Sequence, residues 1–198
     1  LNKIELFMKK NIAIFASGNG TNAEQLVLHF AHHPKARVAL ILTNRSTAFV
    51  LERAKRLEVP AFCLNKEQWA DGTEVVELLR RYGIDFVVLA GFLARVPDCV
   101  LHLFPQRMVN IHPSLLPKFG GKGMYGDRVH QAVLDAGEKE SGITIHYTNE
   151  HYDEGAIICQ HRCPVLPDDT FDALAARVHQ LEYAHYPEVV DRLVSALE

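Results

Sequence analysis

Residues 11–16, Asn-Ile-Ala-Ile-Phe-Ala, leave a chain like this few folds to choose from. A run with almost no polar position suits a strand covered on both faces, which is the condition of a parallel sheet. Parallel strands need long crossovers, usually helical. The chain supplies one at once: Ser17-Gly18-Asn19-Gly20-Thr21-Asn22 is a turn, and 23–33 is a helix ended by Pro34. The same grammar then repeats. Strands are predicted over 37–43 and 60–64, helices over 49–57 and 73–82, and a polar loop over 65–72. The helix over 73–82 turns Val75, Val76, Leu78 and Leu79 to one side. The strand over 86–90, Phe-Val-Val-Leu-Ala, has no polar position, and a further helix is expected over 98–104. This order gives an α/β, doubly wound, mostly parallel sheet with helices on both faces.

The last third departs from that pattern. Residues 141–148 alternate, Ile143 and Ile145 against Thr144 and His146, as in a half-buried strand. A turn over 149–155 and a return strand over 156–165 make a late antiparallel hairpin. One long C-terminal helix over 170–197 follows, capped by Asp168 or Asp169 and interrupted at Pro187. A chain of 198 residues is expected to form one domain, over 8–198. Met8-Lys9-Lys10 reads as the natural start, so 1–7 is taken as an upstream extension, expected to be disordered. The formal charge of −3 carries no basic footprint for nucleic acid, and no apolar run is long enough to span a membrane. Cys63, Cys99, Cys159 and Cys163 form no CxxC pair. On a strand Cys159 and Cys163 would sit about 13 Å apart, too far for one zinc or one disulfide. Reduced thiols and a cytoplasmic protein are the expectation.

Two stretches carry chemistry. The turn at 17–22 joins a strand to a helix whose first N–H groups are unpaired and whose dipole is positive there, a cradle for an anion. Gly18-x-Gly20-x-x-Ala23 loosely matches a dinucleotide pattern, yet the next strand ends in Thr43-Asn44-Arg45 without the acidic residue that ribose hydroxyls need. That favours a simple phosphate ester; a tight turn with no ligand is the plainer alternative. The second stretch is Met-Val-Asn-Ile-His-Pro-Ser-Leu-Leu-Pro at 108–117. In an extended backbone Asn110 and His112 point to one face. A carboxamide beside a titratable ring suits reaction at a carbonyl, one holding an oxyanion while the other moves a proton. A turn-forming Asn and a surface His would look the same in isolation.

The octapeptide from Asn110 to Pro117, with Ser-Gly-Asn-Gly-Thr-Asn at 17–22, resembles the glycinamide ribonucleotide formyltransferases, and the similarity runs from about Met8 to the C-terminus. The resemblance implies a Rossmann-like formyltransferase fold and formyl transfer from 10-formyltetrahydrofolate, as co-substrate, to the amine of 5'-phosphoribosylglycinamide in purine biosynthesis. It implies Asn110, His112 and Asp153 as catalytic residues, with Asp153 keeping His112 protonated. It implies Gly20, Thr21, Asn22 and Glu182 at the sugar phosphate. Folate would meet Leu93, Ala94, Arg95 and Val96, mostly through backbone groups, together with Asn110 and His146. A cis bond at Leu116-Pro117 is implied as well. No metal, nucleic acid or membrane partner is implied. Two positions depart from the family: His179 stands where a Gln is usual, and the glycine-rich lid over 118–126 is longer than in the commoner form.

Three other readings share parts of this pattern. A formyltetrahydrofolate hydrolase shares Asn-x-His but resembles His-His-Ser-Phe-Leu-Pro in place of 112–117, and carries a further N-terminal domain. A methionyl-tRNA formyltransferase adds a basic RNA-binding domain. A nucleotide-binding oxidoreductase is argued down by Asn44.

Overall fold

A computed structural model describes residues 9–197, so the extension expected over 1–7 lies outside the described residues. The chain divides into two compact units, one running to Met108 and resuming at Pro187, the other comprising Val109–Tyr186.

The first unit holds four parallel strands: β1 (Lys10–Phe15), β2 (Ala36–Thr43), β3 (Ala61–Cys63) and β4 (Phe86–Leu89). β1 pairs with β2 and β4, and β2 pairs with β3. Ile12, Ala13, Ile14 and Phe15 are fully buried, which is why this run carries no polar residue. The crossovers are α1 (Thr21–Phe30), α2 (Val50–Arg56), α3 (Lys66–Asp71) and α4 (Thr73–Arg81), with α5 (Asp98–Leu101) shorter than expected. On α4, Val75, Leu78 and Leu79 are buried. Each such side chain contributes about 1.5–3 kcal/mol over an exposed one.

The loop expected over 65–72 is instead α3. Asn65 Oδ1 accepts the Gln68 N–H at 2.9 Å and Gln68 Oε1 accepts the Asn65 N–H at 2.7 Å, a reciprocal cap. The helix delivers Trp69 to the core, edge-on to Phe15 at 5.2 Å, with the indole N–H donating to the Thr43 carbonyl.

The second unit contains β6 (Glu140–Tyr147) and β7 (Ile157–Pro164), an antiparallel hairpin, and β5 (Met108–His112) antiparallel to β6. Through the sheet the strand order is β3-β2-β1-β4-β5-β6-β7. The helices are α6 (Asp127–Asp135) and the long α7 (Phe171–Ser195). Three expectations change. β6 is buried on both faces, because its polar residues Thr144 and His146 are enclosed and hydrogen-bonded. α7 runs through Pro187 without interruption; Tyr186, Val189 and Val190 around it are buried, and packing holds the turn where one backbone bond is lost. The cap of α7 is Thr170, whose Oγ1 accepts the Ala173 N–H, while Asp169 takes both Arg177 Nη groups and the Leu166 N–H. Among the described residues no helix is long and apolar enough to cross a membrane.

Candidate active site

In the first unit, Ser17 ties the carboxyl ends of the strands together. Its hydroxyl donates to Asn44 Oδ1 at 2.6 Å and accepts the Leu93 N–H at 2.9 Å, while its own N–H donates to the Gly91 carbonyl. Asn44 therefore has a structural partner at the place where a dinucleotide fold puts its acid. The Leu93 N–H is thus engaged internally. Arg95 is exposed and pairs with Asp98 at 2.5 Å; Val96 is buried.

The turn at 17–22 ends in Gly20, the N-cap of α1, with φ 75° and no side-chain cap. A Cβ on Gly20 would lie 2.5 Å from Val50 Cγ2, so only glycine lets the turn press against α2. The Glu24 N–H closes the first helical bond to the Gly20 carbonyl, and Thr21 and Asn22 sit half-buried at the start of α1. A ten-residue helix opening without a side-chain cap presents positive potential at this end.

In the second unit, Asn110 and His112 do lie on one face of β5, opposite His146 and Thr144 of β6 in register. The His146 Nδ1–H donates to the Tyr147 carbonyl at 2.8 Å, which leaves Nε2 as an acceptor. The Asn110 amide donates to that nitrogen at 3.2 Å and to Asp153 Oδ1 at 3.4 Å. Asp153 itself has φ 58°, a left-handed conformation that Asp tolerates better than most residues. Its Oδ2 accepts the Gly121 N–H at 2.9 Å and lies 3.5 Å from His112 Nδ1; Oδ1 lies 3.6 Å from His146 Nε2. Burial pushes the Asp153 carboxyl up, but the His146 and His112 rings and the Gly121 N–H outweigh it and hold the group below the ordinary carboxylate value.

For His112 the shift runs opposite to the direction expected from an adjacent carboxylate. The ring is 4% exposed, and burial lowers its pKa below the ordinary histidine value. Asp153 and the Phe119 carbonyl pull the other way without prevailing. The ring's Nε2–H donates to the Phe119 carbonyl at 2.7 Å, and Nδ1 lies 3.5 Å from Asp153 Oδ2.

The segment carrying that carbonyl is held from below. Thr144 Oγ1 donates to the Ser114 carbonyl and accepts the Leu116 N–H; Gln160 Nε2 donates to the Leu116 carbonyl; Ser114 Oγ donates to the Lys118 carbonyl. The Leu116-Pro117 bond is cis, as the resemblance implied, and Phe119 has φ 57°. Gly120 approaches so closely that a Cβ there would stand 2.5 Å from Leu116 Cδ2 and 3.3 Å from Asp153 Cβ.

Glu182 lies on α7, buried; desolvation first, and then the Glu182 charge, raise the Tyr186 hydroxyl well above its ordinary value. His179 is exposed and stacks on Tyr183. The residue missed in the sequence is His130 on α6. It is 2% exposed, packs edge-on to Phe171 and His179, and among the described residues has no hydrogen-bond partner for Nδ1. Burial first, then the His179 ring, lower its pKa to about 4. Its place on the apolar side of an amphipathic helix was the only signal, beside Val129 and Val133. Among the described residues no three His, Cys, Asp or Glu side chains converge as metal ligands do.

Comparison with known proteins fits this geometry. The family described as formyl transferase matches residues 10–190. A protein of Arabidopsis thaliana named phosphoribosylglycinamide formyltransferase, chloroplastic, is 42% identical over 188 residues; the match takes in 92% of this chain but only 64% of that protein. The phosphoribosylglycinamide formyltransferase of Bacillus subtilis is 35% identical over 190 residues, 93% of this chain and 95% of that protein. The crystal structure of phosphoribosylglycinamide formyltransferase from Streptococcus pneumoniae aligns with a TM-score of 0.83 at 39% identity, covering 93% of this chain and 98% of that one.

Proposed function

Because this chain belongs to the formyl transferase family, we propose that it moves a formyl group from 10-formyltetrahydrofolate to the amine of 5'-phosphoribosylglycinamide, a step of purine biosynthesis. The observation that carries the reading is the cluster of Asn110, His112, His146 and Asp153 on one face of the second unit. The amine nitrogen attacks the formyl carbon, a C–N bond forms, and the formyl oxygen becomes an oxyanion. Asn110 meets that charge with the amide proton now on Asp153, the longer of its two contacts at 3.4 Å. The amine sheds a proton to His112. On this reading the ring is neutral with Nδ1 as the acceptor, so the proton arrives there, where the Asp153 carboxylate stabilises the imidazolium. The ring then returns a proton to the departing folate nitrogen, and the C–N bond to folate breaks. The proton lost by the amine ends on tetrahydrofolate, and the ring is restored.

Binding roles follow in the same reading. Gly20, Thr21 and Asn22 seat the phosphate at the start of α1. Glu182 meets the sugar. Ala94, Arg95, Val96 and the Leu93 carbonyl meet the folate ring with His146. Holding both partners converts an encounter in solution into a positioned attack. The test is dependence on the amine. Purified protein should convert 10-formyltetrahydrofolate to tetrahydrofolate only when glycinamide ribonucleotide is present. Loss of the formyl group to water at a comparable rate without the amine would replace transfer by hydrolysis.

A further inference from the structure

We propose that Arg53, on α2, is a positioning residue for the phosphate of the sugar substrate, acting by holding the 17–22 turn in its binding shape. The proposal rests on reading that turn as the phosphate seat. The Arg53 guanidinium does not face outward toward an anion. Its Nε donates to the Asn19 carbonyl at 2.8 Å, its Nη2 to Asn19 Oδ1 at 2.7 Å, and its Nη1 to Glu24 Oε2 in the first turn of α1. All three nitrogens are occupied, and the side chain is 15% exposed.

The same helix grips the turn at two more points. The Val50 N–H donates to the Gly18 carbonyl at 3.2 Å, and Val50 closes on Gly20. Gly18, Asn19 and Gly20 are thus each fixed by α2, and Arg53 also joins the turn to the start of α1. Only a planar fork reaches a carbonyl, a carboxamide and a carboxylate together; a lysine ammonium would satisfy one of them well. An ordered turn keeps the N–H groups of 20–22 aimed. A loose one must be ordered by the ligand, and that cost appears equally in the ground and transition states. It therefore raises KM and spares kcat.

The plainer account is that Arg53 only pairs with Glu24 and acts on stability alone. Arg56 separates the two accounts, since it also pairs with Glu24 and no bond joins it to Asn19. Arg53→Ala should raise KM for glycinamide ribonucleotide about tenfold, the scale of one charge-assisted hydrogen bond. KM for the formyl donor and kcat should stay within about twofold, a change worth under half a kcal/mol. Arg53→Lys should show the same split, and added guanidinium should restore the Ala variant. Asn19→Ala, which keeps the backbone carbonyl, should give a smaller rise of the same kind. Arg56→Ala should match the parent protein. Ribose 5-phosphate serves as the probe of the turn itself. If it fails to compete with substrate in the parent protein, the phosphate reading falls and the Arg53 proposal with it. If it competes equally in parent and Arg53→Ala, only the Arg53 proposal falls. Equal losses for both substrates in Arg53→Lys would mark Arg53 as a general fold contact and overturn its positioning role.

Discussion

Replacing Asp153 by Asn tests the electrostatic core of the site. Asparagine keeps an oxygen for the Gly121 N–H and tolerates the left-handed φ of 58°, so the variant removes charge and little else. The carboxylate stands 3.5 Å from His112 Nδ1, and both side chains are at least nine-tenths buried. An opposite charge at such range is worth about 1–3 pKa units. Burial already depresses His112, with Asp153 the leading opposing influence. Asp153→Asn should therefore drop the His112 pKa by about a further 1–3 units. If neutral His112 accepts the amine proton, activity fades on the acid side as the ring becomes protonated. The acid limb of kcat/KM should then move to lower pH by that amount. The same coupling stabilises the transient imidazolium, so the plateau should fall by about 10- to 1000-fold. Stability has the same sign. The unfolded ring takes its proton near pH 6.5, the folded ring only lower, so stability holds above about 6.5 and declines below it toward the folded value. The variant should extend that decline to lower pH. Rate profiles from pH 4 to 9, with an NMR titration of the His112 ring, measure both. An acid limb that stays in place or moves upward would refute the argument.

Further outcomes follow from named contacts. Asn110→Ala should lower kcat by about a hundred- to a thousandfold with smaller changes in either KM, the usual loss for one oxyanion donor; near-parental turnover would return Asn110 to a structural role. His130→Phe should remove an acid-side loss of stability. Burial holds the ring's pKa at about 4 in the folded protein against 6.5 when unfolded, which costs about 3 kcal/mol across that interval. Melting temperatures from pH 4 to 7 that track the parent would refute it. Gly120→Ala should lower kcat while the fold survives, because the new methyl meets Leu116 and Asp153 and pushes the Phe119 segment away from His112; unchanged kcat in a crystal-verified variant would show the approach to be incidental.

What could be read from residues alone was what depends on local pattern. The unbroken apolar runs ending at Phe15 and Leu89 declared buried strands, and the two-residue spacing of Asn110 and His112 put both on one face. α3 was also written, in the Asn65 to Gln68 cap, but a single buried residue, Trp69, gave no period to notice. The direction of the His112 shift was not legible, because it depends on how completely distant segments enclose the ring. The segment whose Phe119 carbonyl takes the ring's Nε2–H is held by Thr144 and Gln160, far along the chain. His130 was overlooked for a related reason: an imidazole among valines reads as polar in sequence and as core in space.

The resting attachment of His112 to Phe119 bears on selectivity against the solvent. On the proposed chemistry the protein handles an activated one-carbon unit surrounded by a nucleophile at about 55 M, a concentration no amine reaches, so discrimination must come from the site and not from abundance. A catalytic base left open to bulk liquid would activate that nucleophile too. Here one ring nitrogen is capped by a carbonyl and the other looks into a carboxylate, within a ring that is almost wholly enclosed. On that chemistry neither ring nitrogen is open to bulk liquid, so water finds no exposed base to activate it and futile discharge of the donor is suppressed.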